Sequence, residues 1–139
     1  MKIREIMTPV TKISADSTVS DAAKLMDMKN IGSLPIEENG KVIGIITERD
    51  VLRKIVAKGE DPKTTSVKGI MTSPVITIGP EKSVEEANEL MTNKKIRRLP
   101  VEENGKVTGM ITLRDVSNSL RYSLGRKLVE GNDYSRTGY

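Results

Sequence analysis

Gly44-Ile45-Ile46-Thr47-Glu48-Arg49-Asp50 returns 65 residues later as Gly109-Met110-Ile111-Thr112-Leu113-Arg114-Asp115. Each string closes a longer repeat. Leu34-Pro35-Ile36-Glu37-Glu38-Asn39-Gly40-Lys41-Val42 precedes the first, and Leu99-Pro100-Val101-Glu102-Glu103-Asn104-Gly105-Lys106-Val107 precedes the second. Asn-Gly between two apolar runs predicts a hairpin, because both residues tolerate positive φ. The run Val42–Ile46 is apolar almost throughout, which predicts a strand covered on both faces. Gly44 and Gly109 within these runs predict close backbone approaches. The strand then hands a threonine to a helix start, with a carboxylate one turn further on.

Upstream of each hairpin the pattern becomes helical. Thr18-Val19-Ser20-Asp21 and Ser83-Val84-Glu85-Glu86 have capping-box spacing. Val19, Ala22, Leu25 and Met26, echoed by Val84, Ala87, Leu90 and Met91, form one apolar stripe per helix. Before these lie Ile6-Met7-Thr8-Pro9 and Ile70-Met71-Thr72-Ser73-Pro74, each leading into a short predicted strand, Val10–Ile13 and Val75–Ile78. A second helix is predicted from Glu48 to Ala57, with Val51, Leu52, Ile55 and Val56 inward. Roughly half of positions 9–51 are identical in 74–116, the mark of a duplicated α+β unit. The chain divides into a first unit at residues 1–57, a polar linker at 58–66, a second unit at 67–122 and a tail at 123–139 expected to be mobile.

Composition narrows the chemistry. With no Cys and no His, thiolate and imidazole zinc sites and His-dependent nucleophilic catalysis are excluded. Three Tyr with no Phe or Trp make a poor base-stacking platform. The formal charge of +4 arises from 23 basic residues interleaved with 19 acidic ones, a mixed surface that tolerates anionic partners. No run approaches the roughly 18 apolar residues of a membrane span, and the first residues lack a secretory apolar segment. The expectation is a cytoplasmic, non-catalytic protein with no membrane partner.

Two readings of the Gly-x-x-Thr-x-x-Asp strings stay open on the residues alone. Thr47, Asp50, Thr112 and Asp115 stand where helix-start N–H groups, a hydroxyl and a carboxylate can meet phosphate and ribose. The same spacing is also a capping-box variant that needs no ligand. Lys94, Lys95, Arg97 and Arg98 form a basic cluster with no equivalent at Lys29, Asn30, Gly32 and Ser33. It suits phosphate, and equally a solvated helix end.

Taken in order and twice, these motifs resemble a tandem pair of CBS domains, the modules first recognised in cystathionine β-synthase. The resemblance covers residues 1 to about 122. It implies an α+β fold of two β-α-β-β-α units packed sheet to sheet with pseudo-twofold symmetry. It further implies clefts for AMP, ADP, ATP or S-adenosylmethionine as regulatory ligands, with no catalytic cofactor. Carried over by position, Asp50 and Asp115 hold ribose hydroxyls, and Thr47 and Thr112 meet phosphate. Asp115 shares its cleft with Thr11, Lys12, Ile13, Ser33 and Leu34. Asp50 shares its own with Ile76, Thr77, Ile78, Arg98 and Leu99, and Arg97 and Arg98 make the cleft they reach prefer more phosphates. Ile45 and Met110 line adenine pockets. The resemblance implies a homodimer acting in trans on a protein partner. Nucleic-acid binding through the basic cluster and tail, and a purely structural dimerisation module, are the alternatives.

Overall fold

The computed structural model describes residues 1–130. The predicted capping boxes start the first long helix of each unit. In α1 (Val19–Lys29) Asp21 N–H donates to Thr18 Oγ1 at 3.1 Å, and Thr18 N–H donates back to the Asp21 carboxylate at 3.1 Å. In α4 (Val84–Lys94) Ser83 and Glu86 do the same at 3.0 and 2.8 Å. Both helices stop on a left-handed residue, Asn30 and Lys95, which turns the chain into the next strand.

β2 (Ser33–Glu38) and β3 (Lys41–Thr47) pair antiparallel, as do β4 (Arg98–Glu103) and β5 (Lys106–Thr112). Asn39-Gly40 and Asn104-Gly105 make the turns, all four residues at positive φ. β1 shrinks to Ile13–Ser14, parallel to β2 through Ile13 opposite Ile36. Its counterpart is a single bridge, Ile78 opposite Val101. Pairing in the predicted strands Val10–Ile13 and Val75–Ile78 is therefore confined to Ile13 and Ile78. The two sheets meet through β3 and β5.

After Thr47 the chain forms α2 (Glu48–Val51) and then a wide π-turn at Leu52–Val56, closed by Ala57 N–H on Leu52 C=O. The wider turn breaks the 3.6-residue period. Ile55 stays buried, but Leu52 and Val56, expected inward, are 59% and 66% exposed. In the second unit α5 continues unbroken from Leu113 to Glu130. Residues 123–130, expected in a mobile tail, are therefore helical. The rest of that tail lies outside the described residues.

Each unit's lead-in segment completes the core of the other. Ile3, in a 3₁₀ turn at Ile3–Glu5, is fully buried with Ile78, Val84, Leu99 and Ile111. Its N–H donates to Lys82 C=O, and Val84 N–H donates to Met1 C=O. Reciprocally Val67 and Ile70, in α3 (Val67–Ile70), join Val19, Leu34, Ile36 and Ile46. Burial of a side chain such as Ile3 is worth about 1.5–3 kcal/mol. The bridges Thr8 to Met110 and Thr72 to Ile45 complete the exchange. Their reciprocity is the pseudo-twofold relation in contact form. Gly44 and Gly109 allow it: a β-carbon at Gly44 would lie 3.1 Å from Thr72 O, and one at Gly109 3.1 Å from Thr8 O.

Candidate functional site

The exchange leaves a cavity of about 930 Å³ between the units. Thr8, Pro9, Val10 and Thr11 form one wall. Asn30, Ile31, Gly32 and Ser33 form a second, where α1 passes into β2. β5 contributes Met110 and Thr112, and α5 contributes Leu113, Arg114, Ser117, Asn118 and Arg121. Arg97 and Arg98 complete the lining, which includes four arginines and no carboxylate. Among the described residues none of the four arginines enters an ion pair. Four arginines make this concave surface basic, with the Glu48 carboxylate beside Arg98.

Thr112 is held by its own capping box. Its N–H donates to Asp115 Oδ2 at 2.9 Å, and Asp115 N–H donates to Thr112 Oγ1 at 3.2 Å. Asp115 does not line the cavity. It borders a shallow depression beside Met1, Ile6, Asn118 and Tyr122. Asn118 lies on both, so the two surfaces are adjacent. Among the described residues Asp115 Oδ1 takes no hydrogen bond or ion pair.

The first copy is built differently. Thr47 and Asp50 form the same box, with Thr47 Oγ1 also donating to Asp50 Oδ2 at 3.1 Å. Asp50 is 9% exposed, and its second oxygen faces Lys54 Nζ at 3.2 Å. Lys54 also donates to Ile70 C=O at 2.8 Å. Both oxygens of Asp50 are therefore engaged. Neither Thr47 nor Asp50 lines the 930 Å³ cavity.

Thr11, Ser33, Met110, Thr112, Arg97 and Arg98 are brought together. Arg98, expected beside Asp50, is found with Arg97 on the Thr112 side. Arg98 begins β4, and its guanidinium lies over Gly32, where no side chain obstructs it. The other expected residues are elsewhere. Lys12 pairs with Glu37 at 2.8 Å, outside the cavity. Ile13, Leu34 and Ile78 are core side chains, because their strand positions point inward. Ile45 bridges to Thr72 through its backbone, and Ile76 packs on the second core. Thr77 Oγ1 donates to the Glu102 carboxylate at 2.7 Å.

Arg114, Ser117, Asn118 and Arg121 are site residues that motif reading missed. Their signal is helical spacing, at i, i+3, i+4 and i+7, legible once α5 is known to run past Asp115. Among the described residues no cluster of three or more His, Cys, Asp or Glu can hold a metal ion. Nor is any described helix long and apolar enough to cross a membrane.

Comparison with known proteins matches this architecture throughout. The CBS domain profile matches residues 3–57 and 67–122. The chain is 39% identical over 131 residues to the mitochondrial CBS domain-containing protein CBSX3 of Arabidopsis thaliana, covering 91% of this chain and 64% of that protein. It is 34% identical over 110 residues to the CBS domain-containing protein YhcV of Bacillus subtilis (strain 168), covering 79% and 78%. A putative signal-transduction protein with CBS domains from Burkholderia ambifaria MC40-6 superposes with a TM-score of 0.81 at 35% identity, covering 86% of this chain and 93% of that one. CBS pairs are regulatory modules that often bind adenosine ligands. With two matched units, reciprocal lead-ins and a composite cleft, the chain belongs to the CBS domain family.

Proposed function

We propose that the chain is a non-catalytic sensor that takes an adenosine-containing ligand in the cleft beside Thr112. The observation that carries this reading is the composite cavity, which is lined by residues of both units and includes four arginines. A ligand seated there touches both units and favours the arrangement that fits it best. Thr112 meets phosphate, Asp115 offers its second carboxylate oxygen to ribose, and Pro9, Val10, Ile31 and Met110 supply apolar contact for a base. The first copy, with Asp50 held by Lys54, is not the principal site.

The sensor acts in trans on a protein partner, as a homodimer. Exposed Leu52, Val56, Tyr122 and Leu124 on the terminal helices of the two units support self-association. Sedimentation of the purified chain tests the dimer.

Thermal unfolding against AMP, ADP, ATP and S-adenosylmethionine tests the ligand. At 100 times its dissociation constant a ligand adds about 2.7 kcal/mol. The shift should survive in Asp50→Ala and fall in Asp115→Ala and Thr112→Val. A well-folded protein that responds to none of the four would overturn the reading.

A further inference from the structure

We infer that the depression between the start of α5 and the first lead-in segment binds the ammonium group of a small primary amine. The first unit holds a covalent version of that complex. Lys54, four residues on from Asp50, lays its Nζ 3.2 Å from Asp50 Oδ1 and 2.8 Å from the Ile70 carbonyl oxygen. The repeat keeps both acceptors and drops the cation. Asp115 and Ile6 stand at the positions of Asp50 and Ile70, and Ser119 stands at that of Lys54. Ile6, Asp115 and Ser119 line one depression of about 300 Å³ with Met1, Asn118 and Tyr122.

Three observations set this apart from an ordinary helix cap. Among the described residues Asp115 Oδ1 and the Ile6 carbonyl oxygen accept no hydrogen bond, and no cation, the Met1 α-ammonium included, pairs with Asp115. Ser119 is 9% exposed, and its Oγ donates to the Met1 thioether at 3.1 Å, which leaves the hydroxyl oxygen able to accept. Asn118 and Tyr122 replace Arg53 and Ala57. The first change removes a second cation, and the second adds an aromatic wall against which an alkylammonium packs. A carboxylate, a carbonyl and a hydroxyl match the three N–H donors of a primary ammonium, and the charge on Asp115 strengthens the contact. A carboxylate oxygen has two lone pairs. Asp115 Oδ1 can therefore take this ammonium from the depression and a ribose hydroxyl from the adjoining cleft. The amine site stands without the nucleotide reading.

The test is NMR titration of butylammonium chloride, the lysine side chain as a free molecule, into the isotope-labelled full chain. The amides of Met7, Asp115 and Ser119 report on it, with butanol and potassium chloride at matched concentrations as controls. The shifts should saturate with butylammonium alone. Asp115→Asn, which keeps an oxygen for the cap, should weaken binding by about tenfold or more. Ser119→Lys should supply the ammonium from within and abolish the response. Shifts that do not saturate, that butanol or potassium reproduces, or that persist at full strength in either variant would overturn the site. Butylammonium binding with no response to any adenosine ligand would keep the amine site and remove the nucleotide reading. The reverse result would remove the amine site and leave the adenosine cleft standing.

Discussion

Gly32 and Arg98 share one volume. The Arg98 guanidinium fills the space in which a side chain at residue 32 would start, and Glu48 Oε1 lies 3.0 Å from that same point. The pair spans the junction of the units, since Gly32 precedes β2 and Arg98 opens β4. Gly32→Ala should therefore displace the guanidinium, the mobile end of a long side chain, without disturbing backbone. Stability should change by no more than about 0.5 kcal/mol. ATP affinity should fall several-fold, and titration of the variant beside Arg98→Ala checks that both act through one group.

The two aspartates should differ in stability as well as in ligand response. Asp50→Ala removes half of a capping box and strands Lys54 beside Ile70 C=O. A loss of about 1–2 kcal/mol is expected. Asp115→Ala removes only the cap interaction, and about 1 kcal/mol or less is expected. Chemical denaturation of both variants without ligand measures the difference.

The exchanged segments should be sensitive to the smallest side chain. In Gly109→Ala the new methyl would meet Met7 Sδ at 2.8 Å and Thr8 O at 3.1 Å. The methionine can swing aside, but the carbonyl belongs to the bridge with Met110 and cannot. Overpacking of this kind costs about 1–3 kcal/mol. Proteolysis should then open the chain near Thr8 first.

Docking of the first residues should weaken in acid. Hydrogen bonds from Lys2 and then Arg4 hold the Glu81 carboxyl below its ordinary value of 4.5. Its folded pKa lies below its unfolded one, so its stabilising effect is complete above the ordinary value. The effect disappears as pH falls from that ordinary value through the folded pKa. Amide exchange at Ile3 and Val84, which hold the segment, should accelerate across that window. Glu81→Gln should flatten the response.

The features legible in the sequence are those decided within a few residues. Thr18 with Asp21, Ser83 with Glu86, and the two Asn-Gly turns have local geometry that their residue types require. The doubling of Thr47/Asp50 as Thr112/Asp115 located both helix starts. What escaped was set by distant partners. Ile3 and Val67 read as apolar residues without period, and nothing near them names the core they join. Arg98 could be assigned to phosphate by type, but its side of the junction depends on an empty Gly32 two strands away. Leu52 and Val56 match a helical stripe that the π-turn then rotates outward. Arg121 lay beyond the motif that defined the search.

The crossing of lead-in segments also sets an order of assembly. The first core is complete only when Val67 and Ile70 have emerged from the ribosome, well past the end of its own hairpin. Ile3 is made about a hundred residues before its partners Leu99 and Ile111. A nascent chain therefore carries Ile3 unmatched until the second hairpin has been made. The segment from Ile3 to Thr11 waits for the second unit, and its arrival raises one wall of the cleft.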